Sequence, residues 1–453
     1  LLKLWRERGG GRDGAELAVK LAAAQLADLA GAGERFLSAL TVPGRADVPE
    51  LGLVVAGALT ARGAATLAPD AVTEPLLPHD ADVLLESTGA DLVIIEAAAL
   101  LGGAPWAYAA DPSGTDRGRR LARMIVMARS LGKPVVFVRN VPPHLLPSMD
   151  WIAGSCDVVT DDGLGVQLAS FNPIGVKPDR DNDPVYAGGR DPRESPTTRS
   201  LLDAITSDLV SVAAPRSWRG LPEFYRRHAL FVTADAAAAR EQAACGAAVI
   251  ELASYAGNPG KLREDIEAAR EAGAPSPAAV RESLRDIFMT HASSARLAAL
   301  ASASGLGSAI VAGRRIAVLA QDWQAADLAT SVLRQRLQPA EVILASDDPG
   351  ATAALNPLTD RGIGVRVVPA GVNPAPYASV PWVAPWKGLT APVAATYLLD
   401  LAVARECSRA DAVGTGASDF TYSDSVDRPA LARRELLTAG FPTGSRFFTI
   451  TEE

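Results

Sequence analysis

Short aliphatic runs separated by helical segments recur along this 453-residue chain, and that alternation restricts its fold more than any other feature. Runs stand at residues 51–56, 82–85, 91–95, 135–138 and 157–160, with a helical segment over 117–131. Strands joined through helices imply parallel βαβ units, so residues 45–178 are expected to form a first α/β unit. The stretch 177–193, KPDRDNDPVYAGGRDPR, reads as a linker with one short strand at 185–187. The alternation then restarts. Strands are expected at 209–213, 229–232 and 247–252, and helices at 197–205, 222–228, 236–244 and 276–302. These make a second unit over 179–305. A third begins at 314 with RRIAVLA, a helix over 325–336, EVILAS and GVRVVPA. Helices are expected at 392–407 and 429–439. Before all of these, residues 15–31 carry helical spacing and end at Gly31, giving an N-terminal helical segment within 1–44.

Length agrees with two or three domains, because a single core rarely grows to 453 residues. Hydrophobic residues at 48% and charged residues at 21% are globular proportions. Aromatics are only 5%, so aliphatic side chains must build the cores. A net charge of −8 without a basic patch argues against nucleic acid as a partner. Cys156, Cys245 and Cys407 are scattered, with no CxxC pair. That argues against a zinc ribbon or disulfide framework and fits a reducing cytoplasm. No apolar run approaches the roughly 18 residues of a spanning helix, and the first residues lack a signal peptide's apolar segment.

Two stretches of the second unit carry candidate chemistry. In Tyr186-Ala-Gly188-Gly189-Arg190 a strand ends in two glycines, which admit a phosphate close to the backbone, and Arg190 can neutralise a diphosphate. A plain glycine turn is the alternative. Residues 223–251 read as helix, strand, helix, glycine turn and strand, with Arg240-Glu241 in the second helix and Cys245-Gly246 at its end. A glutamate there can accept both hydroxyls of a ribose, or it can merely complement the helix dipole.

The order and spacing of these residues resemble the donor-binding region of two-domain (GT-B) glycosyltransferases, in the family of spore maturation glycosyltransferase-like proteins. Tyr225, Arg240, Glu241, Ala244, Cys245, Gly246 and Val249 fall on that family's pattern, and His144, Asp157, Thr160, Asp161 and Tyr186 through Gly189 match it further upstream. The resemblance covers about residues 80–300. It implies two Rossmann-like domains, the first facing an acceptor and the second holding a nucleotide sugar. Gly188, Gly189, Arg190, Tyr225, Arg240, Glu241 and Gly246 would contact the donor. One departure stands out: the related retaining enzymes carry a second glutamate eight residues earlier, and here that position is Thr233.

The third unit resembles the start of a GT-A glycosyltransferase domain, with Ser331-Val-Leu-Arg-Gln335 followed by Pro339 through Gly350. Asp347 and Asp348 take the place of the acids that meet the nucleotide, or they cap a surface turn. Tyr397-Leu-Leu-Asp-Leu401 and Ala410-Asp-Ala-Val-Gly414 resemble the family's later segment. The metal-binding Asp-x-Asp should precede it, and residues 383–390 hold no acid. The resemblance therefore implies a degenerate, incomplete GT-A-like α/β domain over 314–453, and no cofactor or divalent metal.

Together these readings predict glycosyl transfer from a nucleotide sugar to a cell-surface glycan, polymer or protein. His144 is the candidate general base, since imidazole titrates near neutral pH. A catalytically inactive relative that scaffolds an assembly or binds a glycan is the alternative. A bilobal solute-binding protein shares the two-lobed plan but calls for an export signal. Peripheral membrane association and a homo-oligomer are both compatible with the resemblance. Trp382, Trp386 and Tyr377 either stack on a sugar or simply pack.

Overall fold

The computed structural model describes residues 53–111, 115–187, 195–211, 214–215, 217–307, 314–320, 325–386, 393–416, 420–426 and 429–451. The helix expected over 15–31, and Gly188, Gly189 and Arg190, lie outside them. Among the described residues the protein is a mixed α/β molecule whose strands form three sheets.

The first sheet holds β1 (Val54–Ala58), β2 (Val72–Pro75), β3 (Leu92–Glu96), β4 (Val135–Val138) and β5 (Val158–Thr160). Its order is β2-β1-β3-β4-β5, with every pair parallel. Strands β1, β3 and β4 are buried along their whole length, which is why they read as unbroken aliphatic runs. Helices α1 (Ala61–Leu67), α2 (Ala81–Ser87), α3 (Asp116–Ser130) and α4 (Asp150–Ser155) connect them. Thr60 and Thr115 start α1 and α3 by accepting the N–H groups of Gly63 and Gly118. Leu121, Met124, Ile125 and Ala128 form the buried stripe of α3.

The second sheet holds β6 (Val185–Tyr186), β7 (Val210–Ser211), β8 (Leu230–Thr233) and β9 (Ala248–Glu251), in the order β7-β6-β8-β9 and again all parallel. Its helices are α5 (Pro196–Ile205), α6 (Leu221–Arg227), α7 (Ala236–Ala244) and α8 (Pro259–Ala272). Both parallel sheets have the reversal of strand order that marks a doubly wound, Rossmann-like fold.

The helix expected over 276–302 is two helices. After α9 (Pro277–Asp286) comes one π turn, Ile287–His291, and then α10 (Ser293–Ala303). The break lies at Ala292, which is extended: the His291 carbonyl before it accepts the Val166 N–H, and the Ser293 N–H after it donates to the Val166 carbonyl, so the flanking backbone pairs with a neighbouring segment. The redirection matters. Leu297, Leu300 and Ala301 of α10 pack with Leu53, Val55, Leu92 and Val136, so the last helix of the second unit closes the core of the first.

The third sheet contains β10 (Ile316–Ala320), β11 (Glu341–Ala345), β12 (Gly364–Val368), β13 (Trp382–Pro385), β14 (Ala412–Thr415), β15 (Thr421–Ser423), β16 (Pro429–Arg433) and β17 (Phe447–Ile450). Its order is β12-β11-β10-β13-β16-β14-β17-β15, with β16 antiparallel to both neighbours. The accompanying helices are α11 (Ala325–Leu333), α12 (Ala351–Ala354), α13 (Asn356–Thr359), α14 (Tyr397–Ser408) and α15 (Arg434–Ala439). Its core is continuous with that of the second unit, from Phe224 and Phe288 through Leu398 to Phe448.

Three further expectations are corrected. Residues 82–85 belong to helix α2 rather than a strand, with Ala81 and Leu85 buried. The strand beside β1 is β2, from a segment not read as one. Residues 429–433 are strand, not helix, because pairing between β13 and β14 overrides their helical propensity.

Candidate functional site

The carboxyl ends of the two parallel sheets supply the side chains that meet between the first and second units. In the first sheet the order reverses between β1 and β3, the usual place for a ligand crevice. Glu96 ends β3 at that point and is almost fully buried. It accepts the Thr60 N–H at 2.5 Å and the Asn140 amide at 2.8 Å. Burial pushes its acidity down, while these two donors pull the other way. Gly63 makes room for it: a Cβ there would lie 2.0 Å from Glu96 Oε2.

One residue after Ala61, the first of α1, Arg62 extends from this edge to the second unit. Its Nη2 donates to Oε1 of Glu241, in α7. Glu241 is 5% exposed. Burial pushes its carboxyl up to about 7, against the pull of Arg62, and Asp235 adds to the rise. The second oxygen, Oε2, is buried with no hydrogen-bond partner among the described residues. A carboxyl of this kind can accept a hydroxyl hydrogen bond or exchange a proton near neutral pH.

The dipole reading of Glu241 does not hold. Glu241 lies beyond the first turn of α7, and the helix start is capped by Asp235, which accepts the Ala237 and Ala238 N–H groups. Thr233 accepts the Asp235 N–H at 3.2 Å and so orients that cap. Arg240 turns toward the first unit, 3.8 Å from Asp162, which Arg296 of α10 holds at 3.0 Å. Arg296 also donates to the Thr160 hydroxyl. Arg139 pairs with Asp161 at 2.6 Å. Tyr225 is buried among Phe171, Phe224 and Phe231, where it packs as a core aromatic. Gly246 ends α7 with φ +79°, and its carbonyl accepts from Arg180 at 2.7 Å.

His144 is exposed on the turn Pro143–Met149, four residues after Asn140; the charged groups acting on Glu241 are Arg62 and Asp235. Asp347 and Asp348 close the turn after β11: Asp347 accepts the Ala370 N–H and Asp348 the Gly350 N–H. Trp382 is buried beneath the guanidinium of Arg405, and Trp386 packs edge-on against Tyr397. Among the described residues no group of three His, Cys, Asp or Glu side chains is placed to hold a metal ion. Nor is any described helix long and apolar enough to cross a membrane.

Arg62, Glu96, Asn140 and Asp235 escaped sequence reasoning. The signal was present for two of them: Glu96 ends an aliphatic run, and Asp235 precedes a run of alanines, as an N-cap does. Compared with family models and with curated proteins, the chain matches none.

Proposed function

We propose that this protein is a cytoplasmic glycosyltransferase that moves a sugar from a nucleotide sugar to a cell-surface glycan, polymer or protein. The observation that carries the reading is Glu241, a buried carboxyl with an unused acceptor oxygen at the meeting of two Rossmann-like sheets. A ribose supplies adjacent hydroxyl donors for such a group. The first unit would face the acceptor, because the Glu96 carboxyl at the crevice between β1 and β3 already takes the Thr60 N–H, a backbone donor that a phosphate would need there. Arg62 and Arg240 offer positive charge toward a departing diphosphate. We read the third unit as a degenerate GT-A-like domain without metal-dependent transfer. Its parallel β10, β11 and β12 and the acidic turn after β11 support that reading, as does the lack of acids over 383–390.

A second reading, an inactive relative that binds a glycan or scaffolds an assembly, is favoured by one feature. Arg62 occupies one of the two Glu241 oxygens that a pair of ribose hydroxyls would claim. Incubation with uridine-, guanosine-, adenosine-, thymidine- and cytidine-diphosphate sugars separates the two. Release of nucleoside diphosphate, lost in Glu241→Gln, supports the transferase. Binding without release supports the second reading, and neither binding nor release contradicts the donor site itself.

A further inference from the structure

We propose that Arg62 is the residue through which the first unit grips the donor: it gives up Glu241 to the ribose and takes the diphosphate instead. This rests on the donor-site reading above. Arg62 is the group that changes partner because of what surrounds it. Its guanidinium is held by Glu241 Oε1, while its side chain stays 40% exposed. The next carboxylate, Glu96, is already engaged on both oxygens by Thr60 and Asn140. Asp235 is committed to the start of α7. When ribose hydroxyls claim Glu241, the two nearby carboxylates that act on Arg62 among the described residues, Glu96 and Asp235, are already engaged. The diphosphate of a bound nucleotide lies within a few ångströms of its ribose and offers the fork of oxygens that a guanidinium prefers. The side chain moves from one anion to another across the same gap, and no bond is made or broken. Because Arg62 sits on the first unit and Glu241 on the second, the exchange also couples occupancy of the donor site to the contact between them.

The test is calorimetric titration of each nucleoside and its diphosphate into the wild type, Arg62→Ala and Arg62→Gln, with melting curves alongside. The proposal predicts that the bare nucleoside binds the Arg62 variants as well as or better than the wild type, because a competitor for Glu241 has gone. The diphosphate should lose tenfold or more, so the advantage of diphosphate over nucleoside collapses. The near-isosteric Gln variant keeps the comparison open if Ala fails to fold. Equal losses for both ligands, or no loss for either, would make Arg62 a strut and overturn the proposal while leaving the donor site standing. If the wild type binds no nucleoside diphosphate, the donor site falls and this proposal falls with it.

Discussion

Arg285 of α9 and Asp400 of α14 join the second and third units through two parallel hydrogen bonds, Nε to Oδ1 at 2.7 Å and Nη2 to Oδ2 at 2.8 Å. Both side chains are about nine-tenths buried. Removing Asp400 leaves the buried Arg285 guanidinium to the Glu282 carboxylate at 3.0 Å and the Thr396 hydroxyl, and breaking such a buried pair costs up to about 3–5 kcal/mol. Asp400→Ala is therefore expected to destabilise the chain by that order. Scanning calorimetry checks it: the variant should melt earlier, and its endotherm should split as the third unit loosens from the second. A transition that is unchanged in shape and position would show that the shared apolar core alone holds the units together.

A second junction ties all three units. Asp70, just after α1, accepts from Ser293 of α10 at 3.0 Å, and Arg314, at the start of the third unit, pairs with Glu406 of α14 at 2.6 Å. Burial, and then Glu406, raise the Asp70 carboxyl to about 6, against Arg314, Ser293 and Arg405. The folded protein thus keeps a proton that the unfolded chain gives up between about pH 4 and 6. Stability contributed by this group falls as pH rises through that window and stays level above it. Asp70→Asn should match the wild type near pH 4 and exceed it by on the order of 2 kcal/mol from pH 6 to 8. Denaturant melts across this range test the sign. A variant weaker at pH 7 would mean that Arg314 and Arg405 need the charge.

Gly63 and Glu96 make a third, sharper case. A methyl on Gly63 would collide with the Glu96 carboxylate, so Gly63→Ala should cost about 1–3 kcal/mol. In a Glu96→Ala background the obstacle is gone. The same change should then become neutral or gain up to about 1 kcal/mol from helix propensity. A double-mutant cycle reads the coupling directly. Equal effects in both backgrounds would dismiss the contact.

These junctions also show where sequence reasoning stops. Parallel strands buried on both faces leave long aliphatic runs, so β1, β3, β4, β10 and β11 are visible in the chain alone. Strand β2 is half-buried and mixed in character, and nothing local marks it. The segment 429–433 has helical composition and becomes strand only because β13 and β14 flank it. Of the site, Glu241 was legible through its setting between Arg240 and Cys245. Its partner Arg62 was not, because 179 residues separate them and only the packing of the two sheets brings them together. The same packing explains Tyr225, whose ring had a place in the motif but fills the core beside Phe231.

The most direct measurement is calorimetric titration of the preferred nucleoside diphosphate into the wild type and Glu241→Gln. A hydrogen bond to a charged acceptor contributes about 1.5–3 kcal/mol, so the substitution should weaken binding tenfold or more. The fold should survive, because Gln is nearly isosteric with Glu and the Arg62 side chain, 40% exposed, can keep solvent as a partner. Weaker binding at an unchanged melting temperature is the result that the donor-site account predicts. Unchanged affinity with a lowered melting temperature would contradict it and leave Glu241 as a structural tie to Arg62.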